Sequence, residues 1–192
     1  MAGGGLRLGV SACLLGQRVR YDGGHKACPW LLRLAGELPE VELVPVCPEV
    51  EAGLGIPRPP VALVAAPGGV RVLGVEDPAL EVTAALRAHA ARRVAGLPPL
   101  HGFVLKARSP SCGLAAPVRG RTGEAVRSSP GVFAGTLRTA RPGLPVEEAE
   151  ALSAPARRLA FLEAALAFRR RLLGEDSGAA WERRLRELAA LP

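Results

Sequence analysis

Short apolar runs recur along the first two thirds of the chain and alternate with segments of helical periodicity. A short, mostly apolar run is typical of a strand of a parallel sheet. Strands that alternate with helices predict an α/β fold, here a compact, Rossmann-like sheet that is mostly parallel. The runs that predict its buried strands are residues 6–12, 41–47 and 102–106.

Turn and cap residues predict the elements between these strands. A Pro-Gly-Gly turn at residues 67–69 joins VALVA to VRVLG, which indicates a hairpin. Asp77 and Pro78 have the residue types of a helix N-cap and first position, and Gly96 is typical of the end of that helix. The remaining predictions are helices over residues 30–38 and 131–141, a loop over 107–130 and an edge strand near 144–146.

The pattern changes after residue 153, where long amphipathic segments replace the short apolar runs. PARRLAFLEAALAFRRRLLG and AAWERRLRELAAL both have apolar residues at helical spacing, and Gly174 and Gly178 break the helix between them. We therefore predict an α/β domain of residues 1–152 and a C-terminal helical extension of residues 153–192 that packs on it. An oligomer interface or an RNA-contacting arm is the alternative for this extension.

Composition changes this picture only modestly. The formal net charge of +7 would attract phosphates or RNA, but Lys26 and Lys106 are the only lysines among 25 basic residues, an arginine bias that genome composition also produces. No apolar stretch approaches the roughly 18 residues that span a bilayer, and the N-terminus lacks the pattern of a signal peptide. These observations predict a cytoplasmic protein without a membrane partner, in which four cysteines indicate metal binding or catalysis rather than disulfides.

Three of the cysteines, Cys13, Cys47 and Cys112, each follow a predicted strand. Because ligands bind at the edge where parallel strands end, we expect these thiols to converge on one crevice. Three soft ligands with an open fourth position indicate a catalytic metal or an iron–sulfur site, and three unrelated buried thiols are the alternative. Cys28, which precedes Pro29 at a predicted helix start, is interpreted as a buried and inert thiol.

Polar residues accompany these cysteines, as expected at the open edge of a sheet. Glu49, two residues after Cys47, is the best acid/base candidate, and Ser109 is a candidate hydrogen-bond donor or proton relay. The other polar residues of these loops are Arg18, Arg20, Tyr21, Asp22, Lys26, Arg58, Lys106, Arg108 and Ser111. Of the histidines, His25 is a minor site candidate, His89 is interpreted as a surface residue, and His101 is interpreted as a structural residue.

Four motifs stand in order along the chain: VSACLLGQRVRYDGG (10–24), VPVCPEV (44–50), GLGIPRPP (53–60) and LKARSPSCG (105–113). Together they resemble a family of short bacterial proteins that includes the thiouracil desulfidases, and the resemblance covers about residues 6–150. The chain departs from the family pattern at two points. Ala52-Gly53 replaces the usual Gly-Gly, and AAPVRG replaces a common Tyr-Asp-Gly after the last cysteine.

The resemblance implies a compact α/β fold that holds a [4Fe–4S] cluster by Cys13, Cys47 and Cys112, with one iron that lacks a protein ligand. It also implies that Glu49 and Ser109 assist the chemistry by their positions in the motifs. The residues that we expect to bind substrate are Arg18, Arg20, Tyr21, Asp22, Lys106 and Ser111.

The activity implied by this resemblance is a non-redox, hydrolytic desulfidase reaction. It removes sulfur from a thiolated pyrimidine, either thiouracil or a thiouridine nucleotide, and gives the oxo base and hydrosulfide. Two alternatives remain open. One is an RNA-binding member that acts on thiolated tRNA, and the other is a non-catalytic carrier of a metal or cluster, or a redox sensor.

Overall fold

The computed structural model describes residues 5–120, 122–174 and 180–190, which form eight β strands and six α helices. The strands are β1 (Leu6–Ser11), β2 (Val41–Val46), β3 (Val61–Ala66), β4 (Gly69–Gly74), β5 (Gly102–Leu105), β6 (Ala116–Arg119), β7 (Ala125–Ser129) and β8 (Val146–Glu148). The helices are α1 (Pro29–Glu37), α2 (Pro48–Glu51), α3 (Thr83–Ala95), α4 (Val132–Ala140), α5 (Pro155–Leu173) and α6 (Ala180–Ala190).

The first sheet has the strand order β2-β1-β5-β8, and each pair of neighbours is parallel. Ser11 is level with Val46, and Val10 is level with Val104, so β1, β2 and β5 end side by side. The edge strand β8 begins at Val146, the last residue of the predicted stretch. This sheet confirms the predicted α/β fold, and the segments that follow β1, β2 and β5 all start from one edge.

Helices cover both faces of the first sheet. On one face, α1, α5 and α6 pack on β1 through a cluster that includes Leu31, Leu162 and Leu185. On the other face, α3 and α4 pack on β5, and the rings of Phe103 and Phe133 lie 5.5 Å apart. Among the described residues, the structure contains no helix with the length and apolar character needed to cross a membrane.

A second sheet has the strand order β4-β3-β6-β7. β3 and β4 form the predicted antiparallel hairpin, whereas β6 pairs parallel with β3 and antiparallel with β7. The loop expected over residues 107–130 is therefore wrong in its second half, which contains β6 and β7. β6 is only four residues long and includes Pro117, a residue that disfavours strands, and it is stabilised by pairing with a strand far away in the sequence.

Helix α3 begins five residues later than the predicted Pro78 start. The Asp77 side chain accepts a hydrogen bond from the Ala79 N–H at 3.0 Å and thereby forms a turn instead of a helix cap. The helix start is tied to the second sheet, because the Val72 N–H donates to Thr83 Oγ1 at 2.8 Å. Its end before Gly96 is as predicted.

Helices α5 and α6 pack on the first sheet as a helical pair. Arg169 is 2% exposed and donates from Nε to the Gly5 carbonyl at 3.1 Å. Glu182 is 1% exposed and accepts a hydrogen bond from Arg170 at 3.0 Å. These hydrogen bonds tie the helical pair to the start of β1 and join α5 to α6.

His101 lies just before β5, buried, and its Nδ1 accepts a hydrogen bond from the Arg7 N–H at 2.9 Å. Burial lowers the pKa of His101 to about 4, and the positive charges of Arg169 and Arg7 add to the fall. This agrees with its interpretation as a structural residue.

Acidification is expected to destabilise the protein through His101. An unfolded histidine has a pKa of about 6.5, so between that value and the folded pKa the unfolded chain binds the proton more readily. The contribution to stability is complete above pH 6.5 and is lost as the pH falls, by about 2 kcal/mol at pH 5. Urea unfolding at pH 7 and pH 5 measures this loss. His101→Asn keeps an acceptor for Arg7 but does not titrate, so equal pH dependence in the two proteins would contradict the prediction.

Candidate active site

The edge where β1, β2 and β5 end opens into a cavity of about 420 Å³. Cys13 lies in a short 3₁₀ helix directly after β1, Cys47 is the N-cap of α2 directly after β2, and Cys112 lies in the loop that follows β5. All three cysteines line this cavity, which we call the cysteine cavity. Three positions that are remote in sequence therefore meet at one place because of the parallel strand order.

The loop that carries Cys112 is held in shape by Ser109 and Gly113. Ser109 Oγ accepts hydrogen bonds from the N–H groups of Ser111 at 3.2 Å and Cys112 at 3.0 Å, which forms a tight turn. A Cβ atom on Gly113 would lie 2.9 Å from the Ser109 carbonyl oxygen and 3.0 Å from its backbone nitrogen. Only glycine fits this close backbone approach, so the SPSCG segment specifies where the Cys112 sulfur lies.

Cys13 and Cys112 are buried, Cys47 is partly buried, and the three thiols influence one another. Burial raises the pKa of Cys13 to about 11, and the neighbouring Cys47 adds to the rise. Burial also raises the pKa of Cys47. The pKa of Cys112 is raised by burial, against which a hydrogen bond from Ser11 acts, and further by Glu49 and by the other two thiols. Without a bound cation these thiols are protonated at neutral pH, so metal binding has to displace their protons.

The three cysteines fit a cluster better than a single ion. Among the described residues, no group of three His, Cys, Asp or Glu side chains is close enough to hold one metal ion. Thiolates are the ligands that hold iron–sulfur clusters, so three thiols on one cavity match the donor set of such a cluster.

Glu49 is the only acidic residue among the described residues that line the cysteine cavity. The Arg58 guanidinium donates to Glu49 Oε2 from Nε at 3.0 Å and from Nη2 at 2.8 Å. The Ser111 hydroxyl donates to Glu49 Oε1 at 2.9 Å. The Glu49 side chain is only 13% exposed, so its carboxylate is both confined and adjacent to the sulfur atoms.

The structure brings most of the other sequence-predicted residues to the same cavity. Ser109, Arg20, Tyr21 and Lys106 line it. The other three residues that we expected to bind substrate do not line the cavity. Arg18 and Asp22 are exposed, and Ser111 is buried and hydrogen-bonded to Glu49. His25 and His89 are also away from the wall.

Sequence reasoning missed two residues of this site, Ser11 and Arg119. Ser11 Oγ accepts a hydrogen bond from the Lys106 N–H at 3.0 Å and donates one to the Cys112 sulfur. Its place two residues before Cys13, at the end of a strand, was the signal that could have revealed it. Arg119 lies on β6, which the sequence pattern did not predict as a strand.

A second cavity of about 500 Å³ adjoins the cysteine cavity. The two share three basic side chains as a common wall, namely Lys26, Lys106 and Arg108. Lys106 forms an ion pair with Glu150, which lines the second cavity. Cys28 was expected to be buried, but it is only partly buried and lines the second cavity. It does not line the cysteine cavity.

The sequence model of the 2-thiouracil desulfurase family matches residues 8–149. The chain belongs to the 2-thiouracil desulfurase family. This confirms the resemblance that the four motifs indicated, and the matched residues include the three cysteines of the cavity, Glu49 and Ser109. Membership in a family of desulfurases favours an enzyme over an RNA-binding protein or a non-catalytic cluster carrier.

Among solved structures, the chain is similar to one described as the [4Fe-4S]-dependent thiouracil desulfidase TudS, with 33% sequence identity and a TM-score of 0.62. The similarity covers 84% of this chain and 97% of that chain. A comparison with curated proteins gave no match. Helices α5 and α6 lie outside the residues that the desulfurase family model matches.

Proposed function

We propose that the protein is an iron–sulfur-dependent desulfidase that converts thiolated pyrimidines into the oxo base and hydrosulfide. The observation that carries this proposal is the cysteine cavity, where Cys13, Cys47, Cys112 and Glu49 lie together. Membership in the desulfurase family and similarity to the [4Fe-4S]-dependent TudS support the same conclusion.

Cys13, Cys47 and Cys112 are the ligands of a [4Fe–4S] cluster in this proposal. When bound, the cluster supplies a soft, Lewis-acidic iron without a protein ligand, which suits a thiocarbonyl sulfur. Nearby cations favour the thiolate form that ligation needs. Arg20 and Lys106 lower the pKa of Cys13, in opposition to the dominant effect of burial.

Glu49 is the general base of the proposed reaction. It takes a proton from the water molecule whose oxygen forms a bond to the thiocarbonyl carbon. The attack moves the π-electron pair of the carbon–sulfur double bond to sulfur. The new hydroxyl then loses its proton and forms the carbonyl, while the carbon–sulfur bond breaks with its electron pair going to sulfur, and the proton held by Glu49 passes to the departing sulfide. Water and the thiocarbonyl thus give a carbonyl, hydrosulfide and one proton released to solvent, so no electron donor or acceptor is required.

Ser109 is the proposed hydrogen-bond donor to the reacting ring. Its oxygen already accepts hydrogen bonds from two backbone N–H groups, which leaves the hydroxyl hydrogen available for a ligand in the cavity. A donor fixed in this way stabilises negative charge that develops on a pyrimidine oxygen or nitrogen during attack.

The charge of the cavity indicates an anionic substrate. Among the described residues that line it, six are basic and one is acidic: Arg20, Lys26, Arg58, Lys106, Arg108 and Arg119 against Glu49. A thiouridine nucleotide carries a phosphate that these cations attract. We therefore place Arg20, Tyr21 and Lys106 in contact with substrate, and the free base thiouracil is the alternative substrate.

The second cavity provides room beside the reacting ring for the rest of a nucleotide. Ser153 and Arg158 are among the residues that line it. Both belong to the proposed C-terminal extension of residues 153–192, which in this proposal packs on the α/β domain of residues 1–152 and helps to enclose the substrate.

Sulfide release by protein reconstituted with iron and sulfide under anaerobic conditions tests the proposed activity. Thiouracil and a thiouridine monophosphate are supplied in parallel, and both hydrosulfide and the oxo pyrimidine are quantified. We expect the two products in equal amounts without added reductant, and the cluster-free protein is the control. Absence of sulfide release from every thiolated pyrimidine would overturn the proposal.

Ser109→Ala is expected to lower kcat about 10²-fold, because a fixed donor to developing charge is lost. Ser109→Thr keeps the hydroxyl and is the matched control. The iron content of both variants is measured, since Ser109 also shapes the turn that carries Cys112. Full activity of the alanine variant, or an equal loss in the threonine variant, would contradict this role.

A further inference from the structure

Arg58 is a buried cation that connects three segments at the cysteine cavity, namely its own loop, the start of α2 and the loop of Val19. Its side chain is 4% exposed. In addition to the two hydrogen bonds to Glu49, Nη1 donates to the carbonyl oxygens of Val19 at 3.0 Å and Gly55 at 2.9 Å. The Cys47 thiol lies 3.7 Å from the same Val19 oxygen. Because a backbone carbonyl of its own loop and one of the Val19 loop fix the guanidinium, it cannot rotate to follow a moving carboxylate.

The two carboxylate oxygens of Glu49 accept hydrogen bonds from different donors. Both bonds from Arg58 go to Oε2, whereas within the described part of the chain Oε1 accepts only the Ser111 hydroxyl bond. An ionised carboxylate oxygen accepts about two hydrogen bonds, so Oε2 is fully used and Oε1 keeps one free acceptor position. The Glu49 side chain is thus held at both ends of the carboxylate, with a single acceptor position left for a water molecule.

We propose that Arg58 is a positioning residue that, together with Ser111, fixes the Glu49 carboxylate so that Oε1 is the oxygen that accepts the proton. This rests on the proposed desulfidase reaction, in which Glu49 is the general base. A displacement of about 1 Å in a reacting group costs about 10²-fold in rate, so a fixed carboxylate has a direct effect on turnover.

The pair differs from the exposed ion pairs of the same protein. Arg71 and Glu81 lie 3.3 Å apart with side chains 53% and 42% exposed. Such a pair contributes little to stability, because water solvates either charge when the other is removed. Removing Arg58 instead leaves a confined carboxylate without its counter-ion, which is strongly unfavourable. The exposed pair therefore provides a matched control.

The first measurement is steady-state kinetics of the reconstituted variants. Arg58→Met is expected to lower kcat about 10²-fold, with a smaller change in KM and with unchanged iron content. In a Glu49→Gln background the same change is expected to lower kcat less than about threefold, because the carboxylate that Arg58 positions is gone. Arg58→Lys keeps the positive charge but lacks the paired N–H donors of the guanidinium, so it is expected to recover only part of the rate that Arg58→Met loses. Arg71→Met is expected to have wild-type kinetics.

The second measurement is thermal unfolding of the cluster-free proteins. Arg58→Met is expected to lower the Tm by about 10 °C relative to wild type. Adding Glu49→Gln to Arg58→Met is expected to restore part of this Tm, since a neutral amide tolerates the loss of the cation. Arg71→Met is expected to leave the Tm within about 2 °C of wild type.

The outcomes separate this proposal from the proposed function. If the wild-type protein releases no sulfide but the Tm values show the expected coupling, Arg58 still fixes Glu49 and only the reaction is wrong. A kcat of Arg58→Met near that of wild type, an equal kcat loss in the Glu49→Gln background, or additive Tm changes would each overturn the positioning role.

Discussion

Cys47→Ser protein, reconstituted with iron and sulfide in the absence of oxygen, is expected to lose nearly all of the absorption at about 400 nm that marks an iron–sulfur cluster. Serine has nearly the shape of cysteine but offers a hard hydroxyl oxygen in place of a soft thiolate. With one of the three proposed protein ligands removed, the remaining two thiolates are expected not to retain the cluster. Iron and sulfide content per chain measures the loss, and Cys13→Ser and Cys112→Ser are expected to behave in the same way.

Cys28→Ser is the matched control for these substitutions. Cys28 is the one cysteine that is not a proposed ligand, and it lines the second cavity instead of the cysteine cavity. Its replacement is therefore expected to leave the absorption and the iron content unchanged. Loss of the cluster in Cys28→Ser, or its retention in Cys47→Ser, would show that the ligand assignment is wrong.

Glu49→Gln is expected to lower kcat about 10³-fold while the cluster content stays at the wild-type level. The amide is isosteric with the carboxylate and keeps an oxygen that accepts hydrogen bonds from Arg58, but it cannot take a proton from water. The loss should appear in kcat and much less in KM, because Glu49 acts on the attacking water and not on the bound ring. Hydrosulfide release in the steady state measures both parameters.

The control for Glu49→Gln is Glu81→Gln, the same chemical change in an exposed glutamate of the second sheet region. This variant should have unchanged kcat and cluster content. If Glu49→Gln kept more than about a tenth of the wild-type kcat, a general-base role would be excluded, since such catalysis contributes about 10²- to 10⁴-fold.

The convergence of the three cysteines on one cavity could be predicted from the sequence, because it depends only on the fact that parallel strands end at the same edge of a sheet. Short, mostly apolar runs identified β1, β2 and β5, and parallel strands end along a common edge. No knowledge of side-chain packing was needed to expect that Cys13, Cys47 and Cys112 converge. The family motifs then gave a chemical meaning to residues that geometry had already grouped.

The parts that the sequence did not predict depend on contacts between remote residues. The short strand β6 forms because β3 offers it a partner, and the start of α3 is fixed by the bond from Val72 to Thr83 rather than by its own capping residues. Likewise, the SPSCG segment does not show that the Ser111 hydroxyl is used in a hydrogen bond to Glu49 and does not line the cavity. Such roles follow from three-dimensional packing, which a single sequence does not encode in any local pattern.

The order of strands in the first sheet has a consequence for the biosynthesis of the protein. β5, whose end leads to Cys112, lies between β1 and β8, and β8 is completed only at residue 148. A ribosome-bound chain that has exposed Cys13 and Cys47 therefore still lacks the third sulfur and the strand that flanks it. If the three cysteines hold a cluster as proposed, its site is complete only after most of the chain has been synthesised.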